Sequence, residues 1–414
     1  MQQSKLFTKT AKRISKEEQS RNAQLLIRGG FVDRLTGGVY SFLPLGLRVM
    51  NKVENIIREE INKIDGQEIF MPALCPKENY DKTDRYEVLA NDILFHAESR
   101  HTKNLVLNQS HEEVITPLMK KFINSYKDLP FAVYQFQDKF RAEPRPKSGI
   151  LRGREFFMKD LYSFHTDQQD LDNYYDRVIK AYQSIFKRAG IGGKTYLTFA
   201  SGGSFSKYSH EFQALTEAGE DIIYFCQDCK VAVNEEIIED QHGQCPLCGK
   251  NDLEKMKSVE VGNIFKLGTK FSDAFGLTFL NEKGESKPVI MGCYGIGLQR
   301  LMGTVVEISN DEKGIIWPQE IAPFAVHLIS LGQTKNALEL YKKMQTAGVE
   351  VLVDDREEIG AGQKFAEADL IGCPWRVVLS ERTKKENKVE LKSRANDTVE
   401  NIGKEELLKR LINK

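Results

Sequence analysis

Two arginines, a glutamate and a phenylalanine lie close together in the stretch from Phe140 to Phe156, FRAEPRPKSGILRGREF. Arg141 and Glu143 are two residues apart, so on a β-strand their side chains point to the same face. Arg152 and Phe156 follow a loop rich in Pro, Lys, Ser and Gly. Guanidinium groups bind phosphate bidentately, a carboxylate accepts from an exocyclic amine, and an aromatic ring stacks on a base. This set suits a bound nucleotide; the alternative, which the residue types alone favour, is an exposed hairpin with solvated charges.

Four of the seven cysteines form two C-x-x-C pairs. Cys226 and Cys229 are followed, after fifteen residues, by Cys245 and Cys248. Four thiolates in a tetrahedral arrangement suit Zn²⁺, and each pair fits a tight turn. The spacing predicts a structural zinc site, and the alternative is four free thiols in a reducing compartment.

Length and composition bound the classes of protein to consider. A chain of 414 residues is long enough for two or three domains with their own cores. No apolar run approaches the ~18 residues that a membrane span needs, and the basic N-terminal stretch lacks the apolar core of a secretory signal. A mitochondrial presequence stays open as an alternative, although acidic Glu17 and Glu18 argue against one. We expect a cytoplasmic protein without a membrane partner. The formal net charge is 0, so any RNA contact must come from local patches.

Helices and strands must position these residues. Apolar residues at helical spacing predict an amphipathic helix over residues 47–64, ended by Gly66. The stretch 105–116, LVLNQSHEEVIT, reads as a strand that runs into a helix. Ser110 is a good N-cap, and Glu113 three residues later would complete a capping box.

The second half of the chain predicts two further structural features. A helix is expected over residues 171–188, with Gly190 as its C-terminal stop. Prolines mark residues 314–324 as a linker. Beyond it, alternating strands and helices predict a compact α/β domain with a mixed sheet.

Several sequence words together resemble one enzyme family. The stretch around Arg141 resembles motif 2 of the class II aminoacyl-tRNA synthetases, F-R-x-E, loop, R-x-x-x-F. The words FFMKDLYSFH, SHEF and MGCYGIG narrow the resemblance to prolyl-tRNA synthetases of the bacterial kind. The resemblance covers nearly the whole chain, with the motifs in the expected order. It implies an α/β (α+β) fold: an antiparallel-sheet catalytic domain with helices, then a C-terminal α/β anticodon-binding domain with a mixed sheet.

The resemblance also implies domain boundaries. Residues 1–222 and 256–316 would form the catalytic core, 223–255 a short zinc-ribbon-like insertion, and 317–414 the anticodon-binding domain. Longer bacterial members carry a large editing domain near the insertion, where this chain has room only for a hairpin. Residues 47–72 resemble motif 1, which builds the dimer interface in the family, so a homodimer is expected.

The reaction implied by the resemblance has two steps. L-Proline attacks ATP to give prolyl-adenylate, with Mg²⁺ screening the triphosphate, and the prolyl group then passes to tRNA(Pro). Arg141 would bridge the substrate carboxylate and the α-phosphate. Arg152 and Arg300 would hold the outer phosphates. Phe156 and Arg300 would enclose the adenine, and Glu143 would read its amine.

The amino-acid pocket is implied in the same way. Ser110 and Glu112 would hold the ammonium of proline, while Ser209, His210 and Cys293 belong to words that line the proline pocket. The chain departs from the family at three places, which are Gln109 for an expected proline, Asn263 where histidine is common, and Phe205-Ser206 for two glycines. Residues with side chains do not freely take positive φ, so the last turn is expected to be rebuilt.

The C-terminal word DDREEIGAGQKFAEADLIG, residues 354–372, offers Arg356 and Lys364 as candidates to contact the anticodon. A solvated helix face explains these two cations nearly as well. Two other functions stay open. Another class IIa synthetase, of the threonyl or glycyl kind, is disfavoured by SHEF and GCYGIG, and a non-catalytic tRNA-binding paralogue is disfavoured because the motif arginines are present.

Overall fold

The computed structural model describes residues 1–13, 18–90, 92–144, 146–396 and 398–412. Arg145, within the predicted motif 2 loop, lies outside the described residues. Contacts divide the chain into two compact units. We call Leu35–Tyr40 with Val53–Thr304 the larger unit, and Met1–Arg34, Ser41–Lys52 and Val305–Lys414 the smaller unit.

The α-helices in the described part of the chain are α1 (Arg21–Arg28), α2 (Pro44–Asn62), α3 (Lys77–Lys82), α4 (Tyr86–Leu89), α5 (Glu112–Met119), α6 (Gln168–Arg188), α7 (Lys270–Phe275), α8 (Leu298–Ile308), α9 (Thr334–Thr346), α10 (Ala361–Ile371), α11 (Glu381–Lys385) and α12 (Lys404–Ile412).

The strands are β1 (Val32–Thr36), β2 (Val39–Phe42), β3 (Gly66–Glu68), β4 (Leu74–Pro76), β5 (Phe95–Ala97), β6 (Leu105–Leu107), β7 (Phe131–Phe140), β8 (Glu155–His165), β9 (Thr195–Ser201), β10 (Tyr208–Leu215), β11 (Asp221–Cys226), β12 (Val231–Asn234), β13 (Glu254–Gly268), β14 (Thr278–Leu280), β15 (Ser286–Pro288), β16 (Ile290–Gly297), β17 (Val326–Ser330), β18 (Val351–Asp354), β19 (Trp375–Leu379), β20 (Lys388–Ser393) and β21 (Val399–Gly403).

A nine-stranded sheet forms the centre of the larger unit, in the order β10-β9-β12-β11-β13-β16-β8-β7-β3. The pairings are antiparallel except β12 with β9 and β3 with β7. Strand β10 also pairs with β13, so the strands from β9 to β13 close into a ring. Helix α6 packs its aromatic stripe on one face of this sheet, where Tyr182 and Phe186 contact Phe212. A cavity lies on the opposite face of the sheet.

The predicted insertion is more deeply integrated than expected. Strands β11 and β12, which cover most of residues 221–234, belong to the nine-stranded sheet. Strand β13 then carries the chain without interruption from Glu254 to Gly268, from the cysteine region into the centre of the sheet. The strand residues at both ends of the segment 223–255 therefore belong to the catalytic sheet, while the residues between them form local turns.

The structure corrects the expected start of α5. The N-cap residue is His111, and no side chain caps it, so the capping box of Ser110 and Glu113 does not form. Glu113 instead accepts hydrogen bonds from Thr83 and Arg85, at 2.9 and 2.8 Å. A buried ion pair with a distant arginine has replaced the local cap.

The predictions for the other two helices are closer. The helix expected over residues 47–64 is observed as α2, and that expected over 171–188 begins three residues earlier as α6. Gly190 has a φ of 85°, as a left-handed stop after the C-cap Ala189 requires.

The smaller unit contains the predicted mixed α/β sheet, in the order β18-β17-β19-β20-β21. The first three strands are parallel and the last two antiparallel. The N-terminus extends this sheet, because Gln2 bridges Val353 and the Met1 ammonium donates to Val351 O at 2.6 Å. Contacts thus group the N-terminal residues with the C-terminal part of the chain, whereas the sequence placed them in the segment 1–222.

The helices described here include none with both the length and the apolar character to span a lipid bilayer.

Candidate active site

A cavity of about 240 Å³ lies on the face of the nine-stranded sheet opposite α6. Alternate residues of four neighbouring strands form its floor, because side chains along a strand point to opposite faces in turn. Eight of the residues singled out from the sequence line it: Ser110, Glu112, Arg141, Glu143, Arg152, Phe156, Cys293 and Arg300. The structure therefore gathers residues that are up to 190 positions apart in the sequence.

The motif 2 residues lie at one end of the cavity, which we call the arginine end. Arg152 donates to the Glu143 carboxylate, with Nε and Nη2 at 3.0 and 2.9 Å from Oε2, and its Nη1 lies 3.2 Å from Glu220. The Arg141 guanidinium lies over the Phe156 ring, 5.1 Å from its centroid. Cations and an aromatic ring thus share one wall, as binding of a nucleotide phosphate and base requires.

Arg300 is held at the same end by two anchors. Its Nε donates to Leu151 O at 2.9 Å, and its Nη1 donates to the Glu260 carboxylate at 2.9 Å. Helix α8 begins two residues earlier, directly after the glycines that end β16. The strand-to-helix turn predicted from MGCYGIGLQR therefore aims Arg300 into the cavity.

Arg141 carries a charge that the described residues only partly compensate. Its Nε is buried without a hydrogen-bond partner among them. Burial, and then the positive charge of Arg300, lower the pKa of Arg141 from its ordinary value. A buried guanidinium with a free donor is a site for an anionic group.

Glu112 marks the other end of the cavity, which we call the acidic end. Its side chain is 1% exposed. Oε1 accepts a hydrogen bond from Cys293 Sγ at 3.1 Å, while the buried Oε2 has no hydrogen-bond partner among the described residues. Ser110 lies beside it and accepts from Gln109 Nε2 at 2.8 Å. An unsatisfied buried carboxylate oxygen is suited to accept from a substrate ammonium.

Arg85 supports the acidic end, and no motif in the sequence singled it out. It is 3% exposed and lies 2.8 Å from Glu113 and 3.5 Å from Glu112. Burial raises the pKa of Glu113 to about 7, although Arg85 opposes the shift. The word DRYEVLA offers no local signal for this role, because its partners are 27 and 28 residues away.

Lys139 and Asp160 form a buried ion pair in the cavity floor that the sequence analysis also missed. The Nζ and carboxylate oxygen are 2.7 Å apart, and Gln135 Nε2 donates to Asp160 at 2.9 Å. Burial acts to raise the pKa of Asp160, but Lys139, His111 and the hydrogen bond from Gln135 together outweigh it, and the pKa lies below its usual range. A signal existed, since Lys139 precedes Arg141 by two residues and shares its strand face.

Two of the predicted proline-pocket residues lie elsewhere. Ser209 and His210 are consecutive on β10, so their side chains point to opposite faces, and neither lines the cavity. His210 Nδ1 lies 2.9 Å from Tyr175 OH on α6, and Ser209 Oγ donates to Ser201 O at 2.8 Å. Because side chains alternate along a strand, Ser209 and His210 cannot both face the same ligand.

The anticodon candidates Arg356 and Lys364 have structural partners. Lys364 is 3% exposed, and its Nζ donates to Ser330 O at 2.8 Å. Arg356 pairs with Asp354 and with Glu367, both at 2.7 Å. Lys364 is therefore buried within the C-terminal domain, which disagrees with the alternative of a solvated helix face, and its ammonium is already used by backbone oxygen. The anticodon role of the two residues stays a prediction.

The four paired cysteines converge as predicted. Their sulfur atoms all lie within 4.8 Å of one another, and none forms a disulfide. The sulfur atoms of Cys226 and Cys248 are 3.7 Å apart. Four soft thiolate ligands at these separations fit Zn²⁺. In the part of the chain that is described, this is the single group of three or more such ligands.

Comparisons with known proteins agree with this geometry. Residues 95–309 match the model of the tRNA synthetase class II core domain (G, H, P, S and T), and residues 325–414 match the anticodon binding domain. A proline–tRNA ligase of Dehalococcoides mccartyi is 33% identical over 564 aligned positions, which take in 100% of the chain and 98% of the relative. The chain belongs to the proline–tRNA ligase family.

Other members of the proline–tRNA ligase family match similarly. That of Bacillus cytotoxicus is 32% identical, with 98% of each protein covered. An alignment of 564 positions exceeds the 414 residues of the chain, so at least 150 positions hold residues of the D. mccartyi relative alone. The chain is thus a short member of the family.

Solved structures show the same fold. A Giardia lamblia prolyl-tRNA synthetase in complex with prolyl-adenylate has a TM-score of 0.77 at 20% identity, with 93% of the chain and 74% of that protein covered. A Cryptosporidium parvum prolyl-tRNA synthetase complexed with halofuginone and AMPPNP also scores 0.77, at 18% identity, with 95% and 77% covered. The predicted class II fold with a C-terminal mixed-sheet domain is confirmed.

Proposed function

We propose that the protein is an ATP-dependent ligase that activates L-proline to prolyl-adenylate and transfers the prolyl group to the 3′ end of tRNA(Pro). The observation that carries this proposal is the single cavity that has an arginine end, with Arg141 and Arg300, and an acidic end at Glu112. The opposite charges match an amino acid joined to a nucleotide phosphate. Membership of the proline–tRNA ligase family supplies the identity of that amino acid.

Adenylate formation needs positioning and charge neutralisation more than a general base. At the acidic end, Glu112 Oε2 accepts from the ammonium of proline. Arg141 then lies where the substrate carboxylate meets the α-phosphate, and its free Nε–H donates to the oxygens on which negative charge accumulates. Glu112 at the start of α5 and Arg141 after β7 are both buried and in place before substrate enters, so little reorganisation is needed in the transition state.

The outer phosphates and the adenine occupy the arginine end. Arg152 and Arg300 neutralise the β- and γ-phosphates, and Phe156 and Arg300 enclose the base. Glu143 reads the adenine amine. Because Arg152 is paired with Glu143 and Glu220 in the structure, ATP binding exchanges part of this ion pairing for contacts with phosphate.

The cavity also offers a ligand for Mg²⁺. Glu260 lines it beside Arg300, which is assigned to the outer phosphates. Mg²⁺ is usually held by one or two carboxylates together with substrate phosphates, so Glu260 fits it. The ion would screen the triphosphate during attack.

The remaining parts have supporting roles. A Zn²⁺ ion at Cys226, Cys229, Cys245 and Cys248 pins the end of the β11–β13 region, and four protein ligands leave no open position for chemistry. The C-terminal domain, residues 317–414, binds the tRNA anticodon. Residues 1–222 and 256–316 serve the catalytic core in a cytoplasmic homodimer.

We further propose that the enzyme lacks an editing site of its own. Residues 223–255, where longer members carry the editing domain, form strands of the catalytic sheet and the cysteine cluster. The whole span is shorter than the ~50 residues usual for a small independent domain. Its length leaves no room for a second substrate pocket.

Pyrophosphate exchange into ATP separates this proposal from the two alternatives. The purified protein should exchange label with proline and not with threonine or glycine. Exchange with threonine or glycine would favour another class IIa synthetase. Absence of exchange with every amino acid, in folded protein with Mg²⁺ present, would favour a tRNA-binding paralogue without catalysis.

A further inference from the structure

The loop between β9 and β10 is rebuilt around two residues that carry side chains. Gly203 takes the positive φ, of 52°, so that Phe205 and Ser206 avoid the left-handed region. Gly202 is covered by the turn, because a Cβ there would lie 2.1 Å from Ser206 O. Phe205 N donates to Gly202 O at 3.0 Å, which closes the turn.

This turn directs Phe205 onto the cavity. The residue lines the cavity, and its ring centroid lies 4.7 Å from that of Phe265 and 6.4 Å from that of Phe271. The guanidinium of Arg85 lies over the same ring, 4.6 Å from its centroid. Contacts on several sides fix the ring, which is half-buried.

These contacts place Phe205 at the acidic end. Phe265 on β13 is the cross-strand partner of Cys293 on β16. The Cys293 thiol donates to Glu112, and Arg85 pairs with the same carboxylate. Phe205 is therefore connected by two independent contacts, through Phe265 and through Arg85, to the group that accepts the substrate ammonium.

The apolar lining at this end is aromatic. Phe205, Phe265 and Tyr162 all line the cavity. Phe265 and Tyr162 lie on strands, and the Phe205 ring, although it belongs to a loop, is held between Phe265 and Arg85. An extra methylene against such packed rings costs about 1–3 kcal/mol. The position of the Phe205 ring therefore limits the size of the amino-acid side chain that the cavity accepts.

We propose that Phe205 is a specificity-determining residue, whose ring forms the wall that restricts the acidic end to a five-membered cyclic amino acid. This inference rests on the proposed function and deepens it. It assigns to the Phe205 side chain the exclusion of cyclic amino acids whose ring is larger than that of proline. Truncation of that side chain opens space next to the ammonium site without removing a charge.

The test compares wild type with Phe205→Ala in pyrophosphate exchange with proline and with pipecolic acid, its six-membered ring homologue. One methylene in an apolar pocket changes kcat/KM by about 10- to 200-fold. We expect the ratio of pipecolic acid to proline kcat/KM to rise at least ~10-fold in the variant, with a higher KM for proline. Phe205→Leu should give an intermediate ratio, and it serves if the alanine variant does not fold.

Phe122→Ala is the matched control, because this phenylalanine is 62% exposed and does not line the cavity. Its ratio should equal that of wild type. A folded Phe205 variant whose ratio is unchanged, whether its overall activity falls or not, would overturn the inference. A wild-type protein that fails to activate proline would instead overturn the proposed function, so the two failures are distinguishable.

Discussion

At the scale of single residues, the cavity is defined by charges that the protein leaves incompletely paired. Glu112 Oε2 and Arg141 Nε are both buried without hydrogen-bond partners among the described residues. Each such group costs about 1–3 kcal/mol or more if it stays unsatisfied. The free protein bears this cost, and a substrate that supplies an ammonium and an anionic group relieves it.

Arg141→Ala tests this view of the arginine end. Loss of a group that neutralises charge in the transition state should slow adenylate formation by ~10² or more, because the positive charge cannot be replaced by solvent in the buried site. Single-turnover kinetics with proline and ATP would measure the step. Arg177→Ala is the control, since Arg177 makes an exposed pair with Asp65. Near-wild-type rates in a folded Arg141→Ala protein would contradict the role.

The sequence was informative at this scale where a spacing rule applied. Arg141, Glu143, Arg152 and Phe156 lie together because a hairpin brings them together. Arg85 could not be found, because its burial against Glu112 and Glu113 depends on tertiary packing across 27 or more residues. The placement of the Phe205 ring was equally out of reach, although its departure from the family glycines was visible.

Among the elements, β13 connects the cysteine cluster with the cavity floor. Its N-terminal part pairs with β11, next to the cysteine cluster, and its C-terminal part pairs with β16 in the cavity floor. The metal region is thus mechanically continuous with the sheet that carries the site. We infer that loss of the metal weakens the β11–β13 end of the sheet first.

Cys245→Ser should abolish the binding of one Zn²⁺ per chain and lower the melting temperature. The reason is that only three thiolate ligands remain. The metal would then no longer fix the turn in which Cys245 N donates to Lys250 O at 2.8 Å. Metal analysis and thermal melting would measure both effects. Cys373→Ser is the control, since Cys373 lies outside the cluster, and it should retain its zinc. Unchanged metal content in Cys245→Ser would reject the site.

Elements were predicted well where local pattern decides and poorly where packing decides. The helices α2 and α6 follow their apolar spacing. The predicted cap at Ser110 does not form, because the Glu113 carboxylate accepts hydrogen bonds from Arg85 and Thr83 and not from the backbone at the helix start. Ser209 and His210 were predicted to line the proline pocket and do not line the cavity, because the word SHEF did not reveal where β10 lies in the sheet.

At the scale of the whole molecule, exposed apolar surface favours self-association. Phe70 and Leu74, which follow the edge strand β3, are 76% and 45% exposed. Phe70 lies in the region that resembles motif 1, residues 47–72, and Leu74 follows it two residues later. A second copy that covers them about a two-fold axis would bury this surface and the open edge of the sheet.

We expect light scattering at micromolar concentration to give about twice the chain mass of 47.2 kDa. Phe70→Glu should shift the protein towards the monomer, because a carboxylate would be buried in the interface. Phe122→Glu, at a similarly exposed phenylalanine, should not. A monomeric mass in an active wild-type preparation would contradict the dimer.

We expect the selection of proline over smaller amino acids to be incomplete. Smaller substrates are discriminated by only ~1–3 kcal/mol for each missing methylene, so alanine should be activated at a low rate. If the proposed absence of an editing site holds, the enzyme should not deacylate the product. Pre-formed Ala-tRNA(Pro) incubated with the enzyme alone should lose its ester at the spontaneous rate. Faster loss would reveal a hydrolytic site in the chain.

The proposed activity is the attachment of proline to tRNA(Pro), and it is measured directly by incubating the purified protein with labelled proline and that tRNA. We predict an acid-precipitable, base-labile product whose formation requires ATP and Mg²⁺, with tRNA(Pro) charged in preference to other tRNAs. Arg141→Ala should form it at least ~10² more slowly. No labelled tRNA(Pro) from folded wild-type protein, or equal charging by Arg141→Ala, would contradict the account.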